Sequence, residues 1–244
     1  MRIALFSDIH ANLPALEAMF TDLNKRQVDA IYCLGDLVGY NVWPNEVIEL
    51  IRSQKIPVLA GNHDAKVGAL EAKEAIETLG KNYAYHLIND VNRKYLRDLP
   101  AHIRLAYKTA DEKFDVLMVH GSTRRNDEYV LVDTPEEDVL AMMTESNASI
   151  LCVAHSHKPY HRVLKSTGVN YLHVINTGSV GKPKDGNPQG CYVLLELTAT
   201  TSMLSPETLN VDFVRFDYDV QAAANAVENS PLPNEFADML RKAY

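Results

Sequence analysis

Five short polar motifs, each following directly on an apolar run, constrain this chain more than any other feature. The runs are 3–6, 30–34, 56–60, 114–119 and 149–154; the motifs are Asp8-Ile9-His10, Gly35-Asp36, Gly61-Asn62-His63-Asp64, His120-Gly121 and His155-Ser156-His157. Short apolar runs that end abruptly in polar or glycine residues have the pattern of buried strands. Asp8, Asp36 and His63 are 28 and 27 residues apart, close to the roughly 30-residue repeat of strand, crossover helix and next strand. Right-handed crossovers make such strands parallel and bring their carboxyl ends to one edge, where open α/β sheets bind ligands. Two aspartates, an asparagine and four or five histidines would then share one small volume.

The segments between the motifs support that arrangement. Residues 13–26 carry Leu13, Leu16, Phe20 and Leu23 at helical spacing, with Pro14 placed for a first turn. Pro44 opens a second helix bearing Val47, Ile48, Leu50 and Ile51. From 67 to 99 the pattern is helical throughout: Gly80 separates helices predicted at 71–79 and 82–99, and Pro100 stops the second. This pair interrupts the alternation, so the chain reads as one domain over 1–244 with a helical, cap-like insertion at about 66–100. The later sequence predicts strands at 102–107, 114–119, 149–154, 160–165, 171–175, 192–197 and 209–218, with helices at 136–147, 220–229 and 234–243. The total implies an α/β protein of two packed sheets flanked by helices.

Composition narrows the partners. A chain of 244 residues, 46% hydrophobic and 23% charged, can bury one substantial core. Its net charge of -8 argues against non-specific nucleic-acid binding, which needs a basic surface. A phosphorylated substrate stays open, because bound metal ions reverse the local sign. Cys33, Cys152 and Cys191 stand in apolar segments without metal-like spacing and read as buried free thiols. No signal peptide is apparent and no apolar stretch reaches the roughly 20 residues of a membrane span, so a soluble, cytoplasmic protein is expected.

The motifs themselves specify a chemistry. Imidazole nitrogen mixed with carboxylate or amide oxygen suits divalent transition metals. Asp8 and His10 flank Ile9, so in extended backbone both point the same way and can serve one ion. Asp36 has two oxygens and can bridge two ions; Asn62 offers a neutral oxygen; His155 and His157 repeat the alternate spacing; His120 ends its own strand. Two ions sharing a carboxylate clamp an oxyanion and activate water, which makes the chain read as a two-metal hydrolase. His63 is then free to protonate a leaving group, with Asp64 to orient its imidazole. His86 and His102 read as cap or surface residues, and His161 and His173 as packing or surface positions.

Taken in order, Asp-X-His, Gly-Asp, Gly-Asn-His-Asp, His and His-X-His resemble the calcineurin-like metallophosphoesterase superfamily, in particular its small bacterial and archaeal members. The resemblance spans positions 8 to 157 and implies a four-layer αββα sandwich of two mixed β-sheets flanked by helices. It also implies that Asp8, His10 and His157 bind a first metal, that Asp36 bridges, and that Asn62, His120 and His155 bind a second. His63 is implied as proton donor with Asp64 as its partner. The stretch from Ser179 to Gly186 is similar to a loop that lies near the site in that group. Two divalent transition-metal ions are expected as cofactors, manganese first, with iron, cobalt, nickel or zinc equally suited to the donors. Asp36 is followed by Leu37-Val38-Gly39-Tyr40 without the arginine usual in protein phosphatases and symmetrical tetraphosphatases. The chain therefore reads as a phosphoesterase acting through a metal-activated hydroxide on small phosphodiesters or nucleotides. Alternatives are a phosphomonoesterase, a protein phosphatase or a dinucleoside tetraphosphatase, and, outside enzymes, a scaffold built on the same fold.

Overall fold

A computed structural model describes residues 1–70, 78–110, 112–166 and 168–244. The chain opens with β1 (Arg2–Phe6), α1 (Leu13–Leu23), β2 (Ala30–Cys33) and α2 (Pro44–Ser53). There follow α3 (Asn62–Gly68), a 3-10 turn (Gly80–Asn82), α4 (Tyr83–His86) and α5 (Asp90–Arg97). The second half supplies β3 (His102–Lys108), β4 (Lys113–Val119), α6 (Glu136–Glu145), β5 (Ile150–Val153), β6 (Tyr160–Lys165) and β7 (Tyr171–Asn176). It ends with β8 (Gly190–Glu196), β9 (Asn210–Phe216), α7 (Val220–Glu228) and α8 (Glu235–Lys242). One sheet has the order β2-β1-β8-β9 and the other β3-β4-β5-β7-β6. Both are mixed: β1 and β2 run parallel while β8 is antiparallel to β1, and β4, β5 and β7 are parallel with antiparallel edges.

Strand alternation builds the four layers. Ile3 and Leu5 of β1 and Val193 and Leu195 of β8 face inward, onto Val116, Met118, Ile150, Cys152 and Ile175 of the other sheet. Their neighbours Ala4, Phe6, Tyr192 and Leu194 face outward, under Leu16 and Met19 of α1 and Val47, Ile48 and Ile51 of α2. On the opposite side Leu117, Val119, Leu151, Val153 and Val174 pack under Val139, Met142 and Met143 of α6. Fully burying side chains of this kind contributes ~1.5–3 kcal/mol each relative to exposure. The result is the αββα sandwich. Ala223, Ala224 and Val227 of α7 and Ala237 and Leu240 of α8 form a further cluster with Ala84 of α4. Cys33, Cys152 and Cys191 are free and buried. Among the described residues no helix is long and apolar enough to cross a membrane.

The structure departs from the sequence expectation in two places. The apolar run 56–60 is no full strand; it touches β2 through one isolated bridge, Cys33 to Val58. Pro57 has no N–H to offer the ladder, and Ala60 N–H is taken by the Pro100 carbonyl instead. The helix predicted over 82–99 is broken between α4 and α5. Asn89 caps α5 by accepting Asn92 N–H, while Asn45 of α2 donates to the Leu87 carbonyl and accepts Asn89 N–H. The polar groups freed at the break are thus satisfied across a helix contact. The helix predicted at 71–79 lies, over 71–77, outside the described residues. His173 is buried on the inner face of the second sheet, its Nδ1 3.0 Å from His161 Nε2.

Candidate metal centre

Where β1, β2, β4 and β5 end, the chain turns sharply. Asp8, His10, Asp36, His155 and His157 all have positive φ, between 51° and 64°, a region that costs non-glycine residues of order 1–3 kcal/mol each and marks functional sites. These turns aim the side chains into the gap between the two sheets. The structure brings together ligand atoms of Asp8, His10 and His157, of His10, Asp36 and His63, and of Asp36, His120 and His155, each set within 4.8 Å. Asn62, at the start of α3, places its side-chain oxygen 3.1 Å from His120 Nε2. All seven residues expected as ligands therefore lie in one place. Gly61 is required there, because a Cβ on it would occupy the space of the Asp36 carboxylate.

Backbone carbonyls set the orientation of three rings. His10 Nδ1 lies 3.0 Å from the Val38 carbonyl, His120 Nδ1 2.7 Å from that of Leu34, and His157 Nδ1 2.5 Å from that of Lys182. A carbonyl only accepts, so each Nδ1 carries the proton, and in the neutral ring Nε2 keeps its lone pair. His10 Nε2 and His157 Nε2 then face each other at 3.2 Å. His157 Nε2 is 3.2 Å from Asp8 Oδ1, His10 Nε2 3.6 Å from Asp36 Oδ2, and His120 Nε2 3.3 Å from the same oxygen. Asp8 Oδ1 and Asp36 Oδ2 are fully buried and have no hydrogen-bond donor. Buried, unpaired anionic oxygens beside converging lone pairs fit divalent cations and little else.

The electrostatics agree. Burial works against ionising Asp8 and Asp36, yet the surrounding imidazoles hold both well below the usual carboxylate range. Burial lowers His10 to about 3 and, with the neighbouring His120, His155 to about 4, which keeps both rings neutral as ligation demands. Burial also opposes charge on His120, but Asp36 overcomes it and raises that ring to about 10, so that ligation through Nε2 would have to displace a proton there. Positive charge is drawn to the point between the two carboxylates.

One expected contact is replaced by another. Asp64 does not contact the His63 ring. Because α3 begins at Asn62, Asp64 falls in its first turn and accepts the N–H groups of Asp36 at 2.7 Å, Leu37 at 3.0 Å and Gly61 at 3.1 Å. It pins the end of β2 to the start of α3. The ring of His63 is held instead by Tyr85 of α4, with Oη 2.6 Å from Nδ1. Burial lowers the His63 pKa. Nothing in the local sequence marks Tyr85, which sits in an ordinary helical pattern 22 residues away. Lys182 is a buried cation with Nζ 4.6 Å from the Tyr40 ring centroid, and burial lowers it to about 8. Sequence reading also passes over the polar groups that hold the turns: Ser7 donates to Asp8 Oδ2, Asn41 to the His10 carbonyl, and Asn12 to that of Gly181.

Comparison with known proteins agrees with this geometry. A family model described as the calcineurin-like phosphoesterase superfamily domain matches residues 1–200. An uncharacterised protein of Methanocaldococcus jannaschii is 30% identical over 253 residues, covering 98% of this chain and 96% of its own. The crystal structure of a metallophosphoesterase from Sphaerobacter thermophilus superposes with a TM-score of 0.75 at 27% identity, over 100% of this chain and 99% of that one. A hypothetical protein from Pyrococcus horikoshii OT3 shares the fold, with a TM-score of 0.81 at 24% identity over 100% and 98% of the two chains. The chain belongs to the calcineurin-like phosphoesterase superfamily. Members use divalent metals, and phosphoester hydrolysis is the superfamily's general activity.

Proposed function

We propose that the protein hydrolyses small phosphodiesters or nucleotides at this centre, using two divalent transition-metal ions. The observation that carries the reading is the pair of buried carboxylate oxygens without donors, Asp8 Oδ1 and Asp36 Oδ2, facing imidazole Nε2 atoms across the same gap. Asp8, His10 and His157 would hold one ion and Asn62, His120 and His155 the other, with Asp36 available to both. Manganese is the first candidate; iron, cobalt, nickel and zinc share its donor preferences. When bound, the ions supply Lewis acidity, which polarises phosphoryl oxygens and makes water acidic enough to attack near neutral pH.

The remaining work falls to side chains of this chain. His63 protonates the departing oxygen through Nε2, since Nδ1 is engaged by Tyr85. Lys182 and Lys184 both feel the Asp8 carboxylate and attract an anionic substrate to the same mouth. Asp64 keeps the backbone under Asp36 and Asn62 in register. The chain acts as one cytoplasmic domain, with residues at about 66–100 capping one side of the site. The direct test is metal-dependent turnover of bis(p-nitrophenyl) phosphate against p-nitrophenyl phosphate after chelation and reconstitution. The diester is expected to turn over faster, and only with metal. Equal turnover in chelator, or none with any of the five metals, would overturn the reading.

A further inference from the structure

Beside His63 lies a cavity of about 190 Å³, lined by Tyr40, Lys66, Lys81, Tyr85 and Phe236 as well as His63 itself. Its place relative to the centre is fixed by ring contacts. His63 is 5.0 Å from His10 and Tyr40 4.8 Å from His10, between ring centroids. A group leaving a phosphorus atom held at the centre and protonated by His63 therefore enters this cavity. The volume is below the ~300 Å³ of a pocket for a whole drug-sized ligand, so it takes one part of a substrate rather than all of it.

Its lining names the part. Three aromatic rings converge: Tyr40 and Phe236 meet at 4.9 Å and 64°, and the Tyr85 ring stands 5.9 Å from His63. Tyr40 and Phe236 remain half-buried, with ring surface left for a planar guest. Two exposed lysines complete the rim. Lys66 Nζ lies 5.0 Å from the Tyr85 ring centroid, and among the described residues neither Lys66 nor Lys81 has a carboxylate partner. Some cations elsewhere stand in ion pairs, as Arg26 does with Asp22, Arg104 with Asp115 and Arg241 with Glu228. In a chain of net charge -8, two uncompensated ammonium groups beside three aromatic rings fit a planar base attached to an anion.

We propose that this cavity is a leaving-group subsite for a nucleoside 5′-phosphate joined to the scissile phosphorus through its 3′-oxygen. The proposal rests on the phosphoesterase reading above. The base lies against Tyr40 and Phe236, and the 5′-phosphate meets Lys66 and Lys81. Water oxygen bonds to phosphorus as the bond from phosphorus to the 3′-oxygen breaks; that oxygen departs with the proton of His63. A 5′-phosphorylated dinucleotide of two adenosines thus takes up one water and yields two molecules of AMP.

The test compares the metal-loaded protein on that dinucleotide, on the same dinucleotide lacking its 5′-phosphate, and on bis(p-nitrophenyl) phosphate. The wild type is expected to favour the 5′-phosphorylated form at least tenfold in kcat/KM, and Lys66→Ala with Lys81→Ala to erase that preference. Phe236→Ala should lower kcat/KM for both dinucleotides relative to the nitrophenyl diester by roughly 5- to 150-fold, the worth of one base stack, while Phe236→Tyr restores it. Calorimetry with AMP and metal-free protein provides a readout independent of turnover, and the same variants should weaken that binding about tenfold or more. No preference for the 5′-phosphate, or AMP binding indifferent to all three substitutions, overturns the subsite. Hydrolysis of diadenosine tetraphosphate in place of the dinucleotide overturns the 3′-attachment. Failure of the nitrophenyl diester with every metal removes the phosphoesterase reading alone, since AMP binding and its loss in the variants still decide the subsite.

Discussion

At the scale of single residues, the proposed chemistry assigns one set of groups to hold cations and another group to move a proton. Asp36 is buried, with one oxygen receiving His63 N–H at 2.9 Å and the other facing His10 and His120 without a donor. Asp36→Asn removes the charge and keeps the shape, so metal content and turnover should fall together, each by more than ~100-fold, which exceeds what loss of an outer partner costs. Metal analysis beside circular dichroism checks this, and unchanged occupancy would sink the two-ion reading. His63 has a different expected signature. His63→Ala should leave metal content near normal and reduce kcat by roughly 10²–10⁴, the range of general acid catalysis, for ribose leaving groups. The loss should shrink for nitrophenolate, which departs without a proton. Tyr85→Phe should repeat that gradient in weaker form, because it frees the Nδ1 side of the same ring. A uniform loss across leaving groups, with an emptied centre, would instead place His63 among the ligands.

At the scale of elements, one carboxylate couples a strand end to a helix start. Asp64 is fully buried and receives three backbone N–H groups from the end of β2 and the first turn of α3. Burial and the nearby Asp36 charge push it up to about 7 against those three donors. Asp64→Ala would strand the donors in the interior, at a cost of about 2–5 kcal/mol. Urea unfolding should show that loss, together with weaker metal binding. A variant of unchanged stability with kcat alone reduced would return Asp64 to the side of His63. The Gly-Asn-His-Asp motif was legible as a site because it follows an apolar run. That Asp64 turns back to the backbone follows from α3 starting at Asn62, a boundary that the run from 56 to 60 does not reveal.

At the scale of the whole molecule, charge is distributed unevenly. The chain carries -8, yet Lys182 and Lys184 stand beside the candidate metal centre, placed there by the loop between β7 and β8. That loop is tied to β1 through Gly181 N–H on the Asp8 carbonyl and Asn12 on the Gly181 carbonyl. Contacts of this kind act about equally on bound substrate and transition state. Replacing both lysines with alanine should therefore raise KM for anionic substrates by about tenfold and lower kcat less. Steady-state kinetics on charged and neutral esters would check it, and a pure loss of kcat would count against the assignment.

The sequence alone determined four of the five expected strands beside the site and the residues at their ends, because both are local properties. Alternation sends Ile3 and Leu5 to one face and Ala4 and Phe6 to the other, and an apolar run that stops in Asp-X-His or Gly-Asp must stop at an edge. The helical pattern over 82–99 did not reveal the break at Leu87 to Asn89, which depends on Asn45 reaching across from α2. Only the tertiary structure decided which side chain holds His63, that Asp64 serves the backbone, and that Tyr40, Lys66, Lys81 and Phe236 border one cavity. Partners separated by 22 to nearly 200 residues meet through the order in which strands and helices pack. That order is set by the summed burial of many side chains, and no short stretch of sequence records it.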